Sequence, residues 1–124
     1  MSEAGKIFSF SMPFYNAVKG AMGYKARPAL ILHGPLNGDY TVLPISTLKN
    51  PKDRNADFDI QIDPADFPNL GLHDVSFIRT HKQTTVHQNE KYKLIGDMKK
   101  EYPQKFQEVL DKLDDFNKMV KNSI

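Results

Sequence analysis

Residues 25–47 constrain the fold more than any other part of the chain. Lys25-Ala26-Arg27-Pro28-Ala29-Leu30-Ile31-Leu32-His33 and Tyr40-Thr41-Val42-Leu43-Pro44-Ile45-Ser46-Thr47 are apolar runs of strand length, separated by Gly34-Pro35-Leu36-Asn37-Gly38-Asp39. Asn37-Gly38 is the dipeptide best suited to positive φ in a tight turn, so the segment reads as a β-hairpin. Folding at that turn brings Arg27, at the start of the first strand, close to Ser46 and Thr47, at the end of the second. A guanidinium beside two hydroxyls is an edge able to handle phosphate.

The flanking segments read as further short strands. Lys6–Met12 alternates apolar and small polar residues and predicts a first strand, which Pro13 is expected to end. From Pro13 to Ala26, the mixture of Phe14, Tyr15, Lys19, Gly20, Gly23, Tyr24 and Lys25 predicts a long mobile loop with a functional part. Leu48–Asp57 is polar and charged and reads as a second exposed loop. Phe58, Ile60 and Ile62 alternate with acidic and polar residues, predicting a half-buried strand. Asp63-Pro64 has the form of an N-cap with proline at the first helical position, so one helical turn is expected through Asp66. Strands are predicted at Val75–Thr80, Thr84–Val86 and Lys93–Met98. Pro103 opens a helix whose Phe106, Val109, Leu110, Leu113, Phe116 and Val120 form one apolar stripe that closes the core of the sheet. The sum is a mainly β protein: a small, strongly bent antiparallel barrel with a C-terminal helix.

Length, charge and residue usage bound the function. A chain of 124 residues has room for one domain, expected to span 1–124, with one modest core. Cysteine is absent, which rules out a disulfide framework and thiolate chemistry. Met1–Lys6 lacks the pattern of a secretory signal and no apolar run is long enough to span a bilayer, so a soluble cytoplasmic protein with no membrane contact is expected. The net charge of +2 is too small to mark nucleic-acid binding by itself. Any such binding depends on where the charges sit.

Arg27-Pro28-Ala29-Leu30-Ile31-Leu32, then Val42-Leu43-Pro44-Ile45-Ser46-Thr47, Ile78-Arg79-Thr80 and Ile95-Gly96-Asp97-Met98, in this order and ahead of a closing helix, resemble the PemK/MazF family of toxins, from about Gly5 to Val120. The resemblance implies an SH3-like barrel of the type shared with CcdB, usually a homodimer. It also implies a toxin of a type II toxin-antitoxin system: an endoribonuclease (mRNA interferase) cutting single-stranded RNA without metal or other cofactor, and an antitoxin protein that blocks the RNA groove. The loop over residues 13–26 is the one that, in the family, lies over that groove.

A metal-free ribonuclease must align the ribose 2′-oxygen with the neighbouring phosphate, stabilise the phosphorane and move a proton at each end. Arginine suits the phosphorane because its fork holds two oxygens and stays charged. The resemblance implies Arg27 as principal catalytic residue and Ser46 as catalytic hydroxyl, with Thr47 beside it. A hydroxyl is a poor base, so Ser46 is expected to position the phosphate, and His33, His81 and Asp74 are candidates for proton transfer. The four histidines have no metal-ligand spacing. Lys19, Tyr24, Lys25 and Lys82 are candidates for backbone and stacking contacts with RNA, joined by Arg79 and His81. Arg79 has an equal alternative, pairing with a carboxylate beneath the groove. The chain departs from the family at Asp74, Ser76 and Phe77, where some members carry an arginine, an aspartate and a glutamine. Gly5-Lys6 and residues 20–25 depart as well. Two other readings stay open: a CcdB-like poison acting on a protein such as gyrase, for which the feature is the shared barrel, and a catalytically silent barrel that binds RNA or protein, which the missing arginine and aspartate support.

Overall fold

The computed structural model describes residues 3–124. Its strands are β1 (Lys6–Asn16), β2 (Ala21–Leu36), β3 (Asp39–Ser46), β4 (Asp59–Ile62), β5 (Ser76–Arg79), β6 (Thr84–His87) and β7 (Lys91–Asp97), followed by α1 (Met98–Glu101) and α2 (Pro103–Asn122). All pairs are antiparallel, in the order β4-β5-β3-β2-β1-β7 with β6 also on β3, and the sheet curls into a half-barrel.

The central hairpin is as the sequence predicts. Asn37 and Gly38 have φ of 51° and 85°, and Leu36 pairs with Asp39 across them. Ala29, Leu30 and Ile31 are consecutive and all 0% exposed, which requires burial on both faces of β2. On one face Leu30 packs with Ile7, Leu43, Ile45, Ile60, Ile62, Ile78, Met98, Phe106 and Val109. On the other, Ala29 and Ile31 pack with Phe10, Met12, Tyr40, Val42 and Val86. This is why the hairpin strands are near-continuous apolar runs rather than alternating ones.

One edge of β3 serves two partners. Asp39–Val42 pairs with β6, whereas Ile45 and Ser46 pair with β5. Pro44 falls in the gap between the two ladders, where a missing N–H forfeits no strand bond.

The end of the second core is closed by a cluster of three side chains. Lys91 Nζ donates to Glu3 Oε1 at 3.0 Å and to the Tyr40 hydroxyl at 2.9 Å, and that hydroxyl donates to Glu3 Oε2. The Tyr40 hydrogen bond is the main cause holding the Glu3 carboxyl below the usual range. Burial and then Glu3 raise Tyr40, and the Tyr40 hydrogen bond raises Lys91.

Two expectations are corrected. β1 does not end at Pro13, and residues 13–26 are not a loose loop. They form a two-stranded ribbon, with Pro13 opposite Tyr24 and Asn16 opposite Ala21, turned over residues 17–20. Pairing of β1 with β7 stops at Phe10, so the ribbon has a free edge, and a proline is tolerated there. Gly23 leaves room for the ring of Phe14, whose Cε1 is 3.2 Å from where a Cβ would lie. The Asn16 side chain caps the turn, accepting from the backbone N–H groups of Val18 and Lys19 at 3.0 and 3.1 Å. The second correction concerns the helix stripe. Phe106 and Val109 are buried and Phe116 packs edge-on against Phe58, 5.1 Å between centroids, but Val120 is 43% exposed. At about 30 Å, twenty helical residues outrun the sheet beneath them.

The other elements follow the sequence closely. Asp63 caps an isolated turn, its Oδ1 accepting from Ala65 N–H at 2.9 Å and its carbonyl from Asp66 N–H at 2.9 Å. The chain then lies directly on β7. A Cβ at Gly96 would stand 2.7 Å from the Leu70 carbonyl oxygen, and one at Gly71 (φ 70°) 2.5 Å from that of Ile95. This close approach delivers residues 72–76 to the end of the barrel that carries the site.

Candidate functional site

The site is built on the register of the sheet. Ala29 pairs with Pro44, and continuing that register two residues brings Arg27 across from Ser46. Ser46 in turn pairs with Phe77 of β5, and Phe77 with Gln61 of β4. Directly paired residues share a face, so Arg27, Ser46, Phe77 and Gln61 form a row across four strands. Arg27 and Ser46 are half-buried. Lys25 is two residues before Arg27 on the same face, about 7 Å along the strand.

The neighbouring residues in sequence face the other way. Pro28 and Thr47 line a groove of about 450 Å³ together with Ser9, His73, Asp74, Ser76 and Lys93, over an apolar floor that includes Leu72 and Ile95. The sequence puts Ser46 and Thr47 together. The structure gives them to opposite sides of one sheet edge, Ser46 to the Arg27 row and Thr47 to the groove. Of the three candidates for proton transfer, Asp74 lines the groove. His33 is exposed and six residues beyond Arg27 on β2, about 20 Å away.

Arg79 and His81 belong to a brace at the far end of β5. Arg79 Nε donates to Asp59 Oδ1 at 3.2 Å, and its Nη2 donates to the carbonyl of Asp53 at 2.9 Å. The second Asp59 oxygen accepts the Asn55 N–H at 2.7 Å. The Asp59 side chain is 1% exposed. Arg79 thus shows the carboxylate pairing that the sequence held as its alternative. His81 packs against the rings of Phe58 and Phe116, each 6.3 Å away, with Nδ1 3.6 Å from Asp59 Oδ1. Burial lowers its pKa, outweighing the attraction of Asp59. The brace fixes residues 53–55 of the polar loop after β3 and sets the Arg54 guanidinium 4.5 Å above the ring of Phe77.

The remaining candidates are dispersed. Tyr24 is 73% exposed on the ribbon, Lys19 is exposed at its turn, and Lys82 is exposed in the turn before β6. The sequence reading passed over Arg54 and His73. Arg54 sits in a stretch with every mark of a solvated loop, and His73 is a lone histidine beside a glycine turn. Only tertiary contacts bring either to the site.

Short antiparallel strands curled into a half-barrel and closed by a C-terminal helix are the fold of a class of small toxins. The family described as PemK-like, MazF-like toxin of type II toxin-antitoxin system matches residues 4–116, and the chain belongs to it. No curated protein matches the chain. Membership implies an antitoxin partner. No helix among the described residues is long and apolar enough to cross a membrane.

Proposed function

We propose that the protein is a metal-independent, sequence-selective endoribonuclease acting on single-stranded RNA, with Arg27 and Ser46 as its catalytic pair. What supports the reading is the Ala29–Pro44 pairing, which continued by two residues puts Arg27 and Ser46 at facing positions on one face of the hairpin. The 2′-oxygen attacks the adjacent phosphorus while the bond from phosphorus to the 5′-oxygen breaks. The products are a 2′,3′-cyclic phosphate and a 5′-hydroxyl. Arg27 holds two phosphoryl oxygens as negative charge builds, and Ser46 donates a hydrogen bond that fixes the phosphate. Asp74 and His73 line the groove on the other side of the sheet edge, so the proton leaving the 2′-oxygen and the proton reaching the 5′-oxygen are exchanged with water at the Arg27 row. The groove with Thr47 at its edge sets an apolar floor of Leu72 and Ile95 beneath a polar rim of Ser9, His73, Asp74, Ser76 and Lys93, as suits an unstacked base. Lys25, Tyr24, Lys19 and Lys82 follow the strand by charge and stacking, and Arg79 and His81 act by holding the site's loop. The active form is a cytoplasmic homodimer whose groove the antitoxin occupies.

The test is cleavage of a long RNA in excess EDTA by wild type and Arg27→Ala, with the ends mapped. Cuts at a recurring short sequence, slowed in the variant by about 10²-fold or more, are expected. Intact RNA with both proteins, each folded by circular dichroism, overturns the reading and leaves a non-catalytic, protein-binding poison in its place.

A further inference from the structure

We infer that Arg54 is a second phosphate-binding guanidinium of this site, gripping the RNA strand on the side of Ser46 opposite Arg27. The inference rests on the RNA-cleaving reading above and adds to it a residue outside the hairpin.

Three observations converge on Arg54. Its guanidinium lies 4.5 Å over the ring of Phe77, and Phe77 is the strand neighbour of Ser46. Arg27 and Phe77 therefore flank Ser46, two strand spacings or about 10 Å apart, with Arg54 above the second. Next, the backbone on each side of Arg54 is tied down: the Asp53 carbonyl accepts from Arg79 at 2.9 Å and the Asn55 N–H donates to Asp59 at 2.7 Å. Arg54 N–H itself donates to the Pro51 carbonyl at 3.3 Å. Burying the Asp59 carboxylate with Arg79 costs desolvation, and the loop that this pair immobilises is the one that carries Arg54. Finally, no carboxylate among the described residues is paired with Arg54. A guanidinium stacked by its face keeps its N–H donors in plane and free at the edge, the geometry for holding a phosphate.

The competing role is a cover for Phe77, which is only 5% exposed beneath it. Arg54→Met separates the two, since its unbranched side chain still covers the ring but carries no charge. The experiment measures kcat and KM over a range of salt on a short single-stranded RNA containing the mapped cleavage sequence. The expected result for Arg54→Met is a KM raised about tenfold, as for loss of a charged hydrogen bond, with kcat little changed. The slope of log KM against log salt falls by about 0.7, the value for one phosphate contact on a single strand. Arg54→Lys restores the slope and part of the KM. If Arg54→Met keeps the wild-type KM and slope, or loses affinity with the slope intact as Phe77→Leu does, Arg54 is only a cover and the inference fails. Wild-type protein that leaves RNA intact refutes the site itself, a result read before any Arg54 variant is made.

Discussion

Replacing Arg79 by methionine tests the brace, and its cost can be worked from the geometry. The Asp59 carboxylate is 1% exposed and meets Arg79 Nε at 3.2 Å and the Asn55 N–H at 2.7 Å. Arg79→Met removes the cation and leaves a buried carboxylate with one strong donor. Breaking a buried pair in this way costs about 3–5 kcal/mol. The Arg79 side chain is 17% exposed and the Asn55 bond survives, so the low end applies, about 3 kcal/mol. At about 4 °C per kcal/mol for a chain of this size, Tm falls by about 12 °C. The Asp59→Asn/Arg79→Met double variant no longer buries an unpaired charge and should lie within about 1 kcal/mol of wild type, a strong departure from additivity. Urea melts of wild type, both single variants and the double variant give the four free energies. A loss under about 1 kcal/mol in Arg79→Met, or a double variant as unstable as the sum of the singles, would falsify this account of Arg79.

Two further outcomes follow from the fold. Gly96→Ala drives a Cβ to 2.7 Å from the Leu70 carbonyl oxygen, a backbone atom with little freedom to yield, and should cost about 1–3 kcal/mol in a thermal melt; an unchanged Tm would mean that residues 68–71 do not seat on β7 as described. The Glu3–Tyr40–Lys91 cluster sets the pH range of stability. The Glu3 pKa is depressed on folding, so its contribution is present above the ordinary carboxylate value of about 4.3 and fades as pH falls through the lower folded value. Tyr40 and Lys91 are raised, so theirs is complete below about pH 10 and fades as pH rises through the folded values. The urea midpoint of wild type should fall at both extremes and that of Tyr40→Phe less steeply at each; parallel profiles would show that the hydroxyl carries no linkage.

What the sequence made legible was local or periodic. Asn37-Gly38 named the turn, Ile60 and Ile62 named the buried face of β4, and the spacing from Phe106 to Phe116 named the helix face. The rest depended on partners distant in the chain. Glycines, aromatics and cations in residues 13–26 read as loop because propensity does not register that Gly23 accommodates Phe14 or that Pro13 lies on a free edge. Ser46 and Thr47 read alike in the sequence, but β3 ends at Ser46, and the chain beyond the strand carries Thr47 to the groove. Arg54 was invisible because its role depends on a ring one strand away from Ser46 and on a carboxylate, Asp59, that looked like one acidic residue among several on a solvated face.

The division of labour along the chain also bears on synthesis. The hairpin that carries Arg27 and Ser46 is complete within the first 46 residues and is local enough to form early. The core beneath it is not local: Lys6 pairs with Asp97, and Leu30 shares its cluster with Met98, Phe106 and Val109. On the reading proposed above, a growing chain carries Arg27 and Ser46 for most of translation with no finished barrel to hold them, and RNA cleavage is expected only once the last quarter of the protein has been made. A chain cut short before Val109 keeps every residue of the Arg27 row and is expected to leave RNA intact in the EDTA assay.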